Sequence, residues 1–369
     1  MVALQKLTIR EAYVEASSFF REHGASEAEG SADLLLQHLL GLSRSELLLS
    51  WQEPFPEERN AKWRELLERR AAGEPVQYII GEQEFYGLPF TVTPAVLIPR
   101  PETELLVEQI VLLGKQLWPE ACGEGAKARR GVEARGTETR GAEARSTGAG
   151  VRGVEVSGLA EEVEQHAERG GLDGNEAEAK QRLEPATAGR SRLLVADIGA
   201  GSGAIAVSLA VQCPQWRVVG SDISSTALAV AQANAKRHAV DGQVTFMEGD
   251  LLMPYIQRGL RLDVVVSNPP YIPEADEAGL QIEVRHYEPR SALYGGVDGL
   301  DLYRRLMEQL AMLEVLPSLV GLEVGFGQAG EVAQLLRQAG AWDEIRIVPD
   351  LAGIPRHVIG IRFPVSATC

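Results

Sequence analysis

Leu193-Leu-Val-Ala-Asp197-Ile-Gly199-Ala-Gly201-Ser-Gly203-Ala204 is an apolar run that ends in three alternating glycines and continues as Ile205-Ala-Val-Ser-Leu-Ala-Val211. It predicts a buried strand over Leu193–Ile198, a glycine-rich turn, and a helix over Ala204–Val211. Glycines let a backbone approach a ligand closely, and the N-terminus of the following helix presents unpaired N–H groups. Downstream the texture repeats. Strands are expected at Arg217–Gly220, Val244–Met247, Leu262–Ser267 and Val320–Val324, with closing strands at Glu344–Val348 and Val358–Phe363. Helices are expected between them at Thr226–His238, Leu302–Leu313 and Val332–Ala339. Strands alternating with helices give a parallel sheet covered on both faces, whose ligands sit at the C-terminal ends of the strands. Asp222 falls where the second strand ends, and a carboxylate there can accept hydrogen bonds from both hydroxyls of a ribose. The spacing Gly199-x-Gly201-x-x-Ala204 also satisfies a dinucleotide fingerprint. The loop therefore indicates an adenosine-containing cofactor without choosing which.

Ser267-Asn268-Pro269-Pro270-Tyr271, at the end of the fourth strand, narrows the choice. A planar amide or amino nitrogen is a poor nucleophile because its lone pair is delocalised. The Asn268 side-chain oxygen and the Pro269 carbonyl could accept its two N–H hydrogens, localising the lone pair and aiming it at a methyl donor. The prolines stiffen the loop and remove two competing N–H groups. Tyr271 offers a flat face to a planar amide or base.

Upstream, apolar residues recur at helical spacing from Thr8 to Gly73, as in Ala32, Leu35, Leu36, Leu39 and Leu40. A small helical bundle is expected over residues 1–75, with Ser31 and Ser45 as N-caps and Gly24, Gly41 and Gly73 as stops. From Pro75 the aromatic and β-branched residues around Gly87 and Pro89 predict a β-hairpin linker over 76–93. A domain over 94–369 follows, interrupted by residues 119–190. That stretch holds 13 Gly, 13 Glu, 13 Ala and 9 Arg but no Phe, Trp, Tyr, Ile or Met, so it has no means of building a core. It is expected to be a disordered surface insertion. Excising it should leave activity intact, and a large drop would show that it has a role.

The 369 residues carry 52 acidic and 36 Lys/Arg side chains, a formal charge of −16. That balance argues against stable direct binding to nucleic acid, which needs a basic face. No apolar run approaches the roughly 20 residues of a membrane span. Cys122, Cys213 and Cys369 form neither a disulfide framework nor a zinc spacing, and the six histidines show no ligand pattern, so no metal is expected. A cytoplasmic monomer is the expectation.

The glycine loop with Asn268-Pro-Pro-Tyr271 resembles class I S-adenosylmethionine-dependent N-methyltransferases. Five further stretches resemble one branch, the HemK/PrmC family of protein-(glutamine-N5) methyltransferases. They are Pro75-Val-Gln-Tyr-Ile-Ile-Gly81, Phe85-Tyr-Gly87, Ile98-Pro-Arg-Pro-Glu-Thr-Glu104, Tyr287-Glu-Pro-Arg-Ser-Ala-Leu-Tyr-Gly-Gly296 and Glu323-Val-Gly-Phe-Gly-Gln328. The resemblance implies a Rossmann-like, mostly parallel seven-stranded sheet with a small N-terminal helical bundle. It also implies S-adenosyl-L-methionine as cofactor and methylation of the glutamine in the Gly-Gly-Gln motif of class I peptide chain release factors; the bundle over residues 1–75 is then expected to dock the release factor. Gly199, Ala200, Gly201, Ser202 and Gly203 would hold the methionine end, Asp222 the ribose, and Asp250-Leu251 would flank the adenine. Asn268, Pro269, Pro270 and Tyr271 would clamp the glutamine, with Asn268 also bordering the cofactor. Arg100, Glu102 and Glu104 stay open between pocket border and helix cap, and Arg290 and Glu323 between buried ion pair and pocket wall. Three rivals remain: a ribosomal-protein glutamine as substrate, adenine-N6 methylation of nucleic acid, and a non-catalytic release-factor binder.

Overall fold

The computed structural model describes residues 7–119 and 192–363. Apart from Pro119, the insertion expected at 119–190 lies outside the described residues, as do Cys122 and Cys369. Helices α1 (Ile9–Glu22), α2 (Ala28–Leu40), α3 (Arg44–Leu49), α4 (Asn60–Ala71) and α5 (Val76–Ile80) pack around Phe20, Leu35, Leu36, Leu47, Trp63 and Leu66. Two expected caps are displaced. Ser31 lies inside α2, and α3 is capped by Ser43, not Ser45. Ser43 accepts from the Glu46 N–H while Glu46 reaches back to the Ser43 N–H, a reciprocal pairing that Ser45 has no partner to make. Residues 76–80 are a helical turn where the sequence suggested strand. Pro75 enters it with φ −56° and Gly81 ends it with φ 82°, and a short apolar run does not by itself distinguish the two states. The hairpin follows as β1 (Glu82–Phe85) and β2 (Leu88–Thr91), with Tyr86 and Gly87 both at positive φ, as a two-residue hairpin turn requires.

Helix α6 (Pro101–Leu117) leads into the main sheet. The sheet is built from β3 (Leu194–Ile198), β4 (Arg217–Asp222), β5 (Val244–Glu248), β6 (Val264–Ser267), β7 (Leu319–Glu323), β8 (Glu344–Pro349) and β9 (Pro355–Ile361). Its order is β5-β4-β3-β6-β7-β9-β8, parallel except for β9, which runs antiparallel to both neighbours. Between the strands lie α7 (Ala204–Gln212), α8 (Ser225–Arg237), α9 (Met253–Gln257), α10 (Ile282–Tyr287), α11 (Asp301–Ala311) and α12 (Ala329–Ala339). Alternate strand residues enter two cores. Val195, Val218, Val264 and Leu319 face α6 and α7, while Ala196, Val219, Val265 and Val320 face α11 and α12.

Strand order reverses at β3. There Ile198 pairs with Ser221 on one side and Ser267 on the other. The next residues, Gly199, Asp222 and Asn268, consequently emerge side by side at the C-terminal edge, at the switch point where open α/β sheets bind ligands.

The bundle is fastened to α10, just beyond the Asn268 loop. Arg70, 2% exposed, makes a 2.8 Å ion pair with Glu283, and the Tyr287 hydroxyl donates to the Ala72 carbonyl at 3.0 Å. A side chain at Gly73 would strike Ile282. Removing one partner of a buried pair strands the other charge, so Arg70→Met should cost about 3 kcal/mol of stability, read by urea unfolding. An unchanged midpoint would mean that Ser26, which also hydrogen-bonds Glu283, suffices.

Candidate active site

Gly199, Gly201 and Gly203 have φ of 72°, 54° and 78°. Their roles differ. A Cβ built at Gly199 or Gly201 would meet nothing within 4 Å, whereas at Gly203 it would lie 3.1 Å from the Ala231 Cβ. Gly203 is a packing glycine where the loop crosses α8; Gly199 and Gly201 line open space beside the strand ends. Ala200 and Ser202 are buried, and the Ser202 carbonyl accepts from the Asn234 side chain at 2.9 Å, so these two support the loop from beneath. An adenosine cofactor fits this cradle, since a ligand there would meet backbone without side-chain obstruction.

Asp222 ties the loop to β4. One carboxylate oxygen accepts the Gly201 N–H and the other the Ser224 N–H, both at 2.9 Å. Burial raises its pKa, and these N–H donors work against that rise. Each oxygen retains a lone pair for a ribose hydroxyl. Below the loop Asp197 is fully buried. One oxygen accepts the Ala206 N–H at 3.0 Å, the other has no partner, and burial pushes the carboxyl up to about 7.

The Asp250-Leu251 turn adjoins Asp222, whose carbonyl accepts the Gly249 N–H at 2.9 Å. Its side chains point elsewhere: Asp250 pairs with Arg305, and Leu251, at φ 49°, packs into the core beside Leu252 and Tyr255. Ile223, 59% exposed immediately after Asp222, offers an apolar contact at the ribose end that sequence inspection missed.

The Asn268 loop is held from several sides. At its root the Ser267 hydroxyl donates to the Ile198 carbonyl at 2.7 Å. The Tyr271 carbonyl accepts from the Gln328 side chain at 2.9 Å, and the Ile272 N–H donates to Leu293 at 2.9 Å. A Cβ at Gly295 would lie 2.6 Å from the Pro270 carbonyl, so a glycine is required there for the loop to pack. Burial pushes the Tyr271 hydroxyl up to about 12, keeping it neutral. The Asn268 amide donates to the Thr103 hydroxyl at 3.1 Å, and Thr103 donates to Glu323 at 2.7 Å. With its NH₂ so engaged, the Asn268 side-chain oxygen is the end free to serve as acceptor.

Thr103 was hidden in sequence between Glu102 and Glu104, in a helix start where hydroxyl and acidic residues are common. The open assignments around it now divide. Arg100 pairs with the buried Glu288 at 2.6 Å. Glu104 accepts the Tyr86 N–H at 2.9 Å, tying the hairpin to α6. The Glu102 carbonyl hydrogen-bonds His357. Arg290 is an exposed partner of Glu277, stacked over Tyr294, while Glu323 is buried on Thr103; the two do not pair with each other.

A nucleotide cradle and an amide acceptor in adjacent register, on a sheet of this order, define a Rossmann-like S-adenosylmethionine-dependent methyltransferase. Two family models match the chain: PrmC N-terminal domain over residues 11–81 and Methyltransferase small domain over 181–283. A release factor glutamine methyltransferase of Bacillus cereus is 36% identical over 352 residues, covering 95% of this chain and 98% of the relative. One from Geobacter sulfurreducens is 36% identical over 353 residues, covering 96% of each. The chain belongs to the release factor glutamine methyltransferase family. A crystal structure of a release factor-specific protein-(glutamine-N5) methyltransferase from Alicyclobacillus acidocaldarius is 31% identical over 51% of this chain and 89% of that one. The TM-score between the two is 0.29.

Proposed function

We propose that this chain methylates the side-chain nitrogen of the Gly-Gly-Gln glutamine in class I peptide chain release factors. The observation that carries this reading is the Asn268 amide, fixed by Thr103 with its oxygen outward and in register with Gly199 and Asp222. Bound S-adenosylmethionine supplies an electrophilic methyl group on a sulfonium. The backbone of Gly199 and Gly201 would hold its methionine end, Asp222 its ribose, and the turn at Asp250-Leu251 would border the adenine. Asn268 Oδ1 and the Pro269 carbonyl accept the two N–H hydrogens of the glutamine, which concentrates the nitrogen lone pair and orients it for in-line attack. Pro270 stiffens the clamp and Tyr271 packs against the planar amide. The glutamine nitrogen so held would take up the methyl group that the cofactor gives up, and its extra proton would pass to water. Tyr271, held neutral, has no part in removing it.

Helices α1–α5 are the proposed docking surface for the release factor. Because Arg70, Ala72 and Gly73 contact α10, deleting residues 1–75 would also uncover Glu283, Ile282 and Tyr287. Surface substitutions on α1 or α3 therefore test docking more cleanly than truncation.

The decisive experiment incubates the chain with S-adenosylmethionine and an unmodified release factor, then maps the product by peptide mass spectrometry. A single methyl on the Gly-Gly-Gln glutamine is expected. An unlabelled glutamine there, with label on a ribosomal protein or on adenine, would transfer the same clamp to that substrate.

A further inference from the structure

We propose that Thr103 and Glu323 act as positioning residues that decide which end of the Asn268 amide faces the substrate, in a hydrogen-bond relay whose direction reverses when Glu323 takes up a proton. This rests on the glutamine-methylation reading and adds to it a pH-dependent control of the clamp.

The carbonyl and amino ends of an asparagine are alike in shape, so packing alone does not choose between them. Only one orientation is productive, because Nδ2 turned toward the glutamine would set donor against donor. The choice is made by the Thr103 hydroxyl proton together with Glu323, whose carboxylate also accepts from the Asn268 side chain. Ionised Glu323 can only accept, so the Thr103 proton points at its Oε2, 2.7 Å away. Thr103 then offers Asn268 nothing but lone pairs, and Nδ2 occupies that contact at 3.1 Å with the oxygen outward. A protonated Glu323 can instead donate to the Thr103 oxygen. The Thr103 proton is then free to point at Asn268, which favours the flipped amide.

The surroundings leave Glu323 as the group in this nest that titrates near neutrality. Burial pushes its carboxyl up to about 7, opposed by the Thr103 bond, the Arg356 charge and a bond from the Asn268 side chain, and reinforced by Glu102. His357, its neighbour across β9, is pushed down to about 4 and stays neutral. Arg356 pairs with Asp350 at 3.5 Å. Tyr271 is neutral, as is Tyr303, whose hydroxyl donates to the Glu323 carbonyl at 2.6 Å. The sign follows: raising pH through about 7 ionises Glu323, sets the relay in its productive direction and raises kcat.

The test uses the full chain, an unmodified release factor and saturating S-adenosylmethionine, which removes any contribution of Asp197 to cofactor affinity. Wild-type kcat should rise between pH 6 and pH 8, and Thr103→Val should lower kcat about 30-fold and flatten the profile. Thr103→Ser should restore both to within about threefold. Cofactor affinity by calorimetry should stay within about twofold in each variant, which a general loss of packing would not allow. Should Thr103→Val fail to bind cofactor, Glu323→Gln decides, because it keeps an acceptor without a titrating carboxyl and should show a flat profile. A wild-type profile flat across pH 7, a Thr103→Val enzyme with wild-type kcat, or a Glu323→Gln enzyme with the wild-type profile would overturn the relay. A wild-type chain that leaves the release factor unmethylated overturns instead the function on which the relay rests.

Discussion

In an Asn268→Ala variant, kcat for methylation of the release factor should fall about 10²–10³-fold, as when a single preorganised transition-state contact is removed elsewhere. The loss is large because the glutamine nitrogen carries no usable lone pair until both of its hydrogens are held. Removing one acceptor both frees the amide to rotate and returns its lone pair to the carbonyl. Cofactor affinity should fall far less than kcat, since the cradle at Gly199 and Gly201 and the Asp222 carboxylate are built on β3 and β4 and Asn268 only borders the cofactor. Single-turnover kinetics with pre-bound S-adenosylmethionine isolate the chemical step, and an unchanged rate there would refute the clamp. Asn268→Asp is not a rescue. It keeps an acceptor but places a second carboxylate beside Glu323 and Thr103, where the burial that raises the Glu323 pKa also opposes a further charge.

Asp222→Ala should produce the complementary result, raising the Kd for S-adenosylmethionine about 10²-fold while leaving kcat at saturation nearly intact. Two hydrogen bonds from ribose hydroxyls to an ionised acceptor account for most of that figure. The remainder comes from the loop, because Asp222 also holds the Gly201 N–H at 2.9 Å. Asp222→Asn, which keeps one acceptor oxygen and the side-chain volume, should lose only about tenfold. Titration calorimetry with S-adenosylmethionine reads both. Equal affinities for wild type and Asp222→Ala would assign ribose binding elsewhere on the sheet edge. Together the two substitutions separate cofactor binding from catalysis at residues that lie next to one another only because Ile198 pairs with both Ser221 and Ser267.

What could be read from sequence alone was what nearest neighbours decide. Alternating glycines after an apolar run, two prolines that cannot donate, and apolar residues at period 3.6 or in short runs are local constraints on φ, on hydrogen bonding and on burial. They sufficed for the glycine loop, the Asn-Pro-Pro-Tyr loop at the strand end, the N-terminal helices and the order of the strands and longer helices in the sheet, though not for the short helices α9 and α10. They failed where local preference is balanced. Val76–Ile80 could be strand or helix until Pro75 and Gly81 bounded it, and Ser43 displaced Ser45 as a cap only through Glu46. Contacts across long stretches of chain were out of reach altogether. Thr103 is 165 residues from Asn268 and 220 from Glu323, and Arg70 is 213 from Glu283. The sequence by itself thus determined which chemical groups the protein has and which loops carry them. Only the tertiary structure decided which buried hydroxyl and carboxylate stand behind Asn268, because hydrogen-bond partners at such separations are chosen by strand register and helix packing.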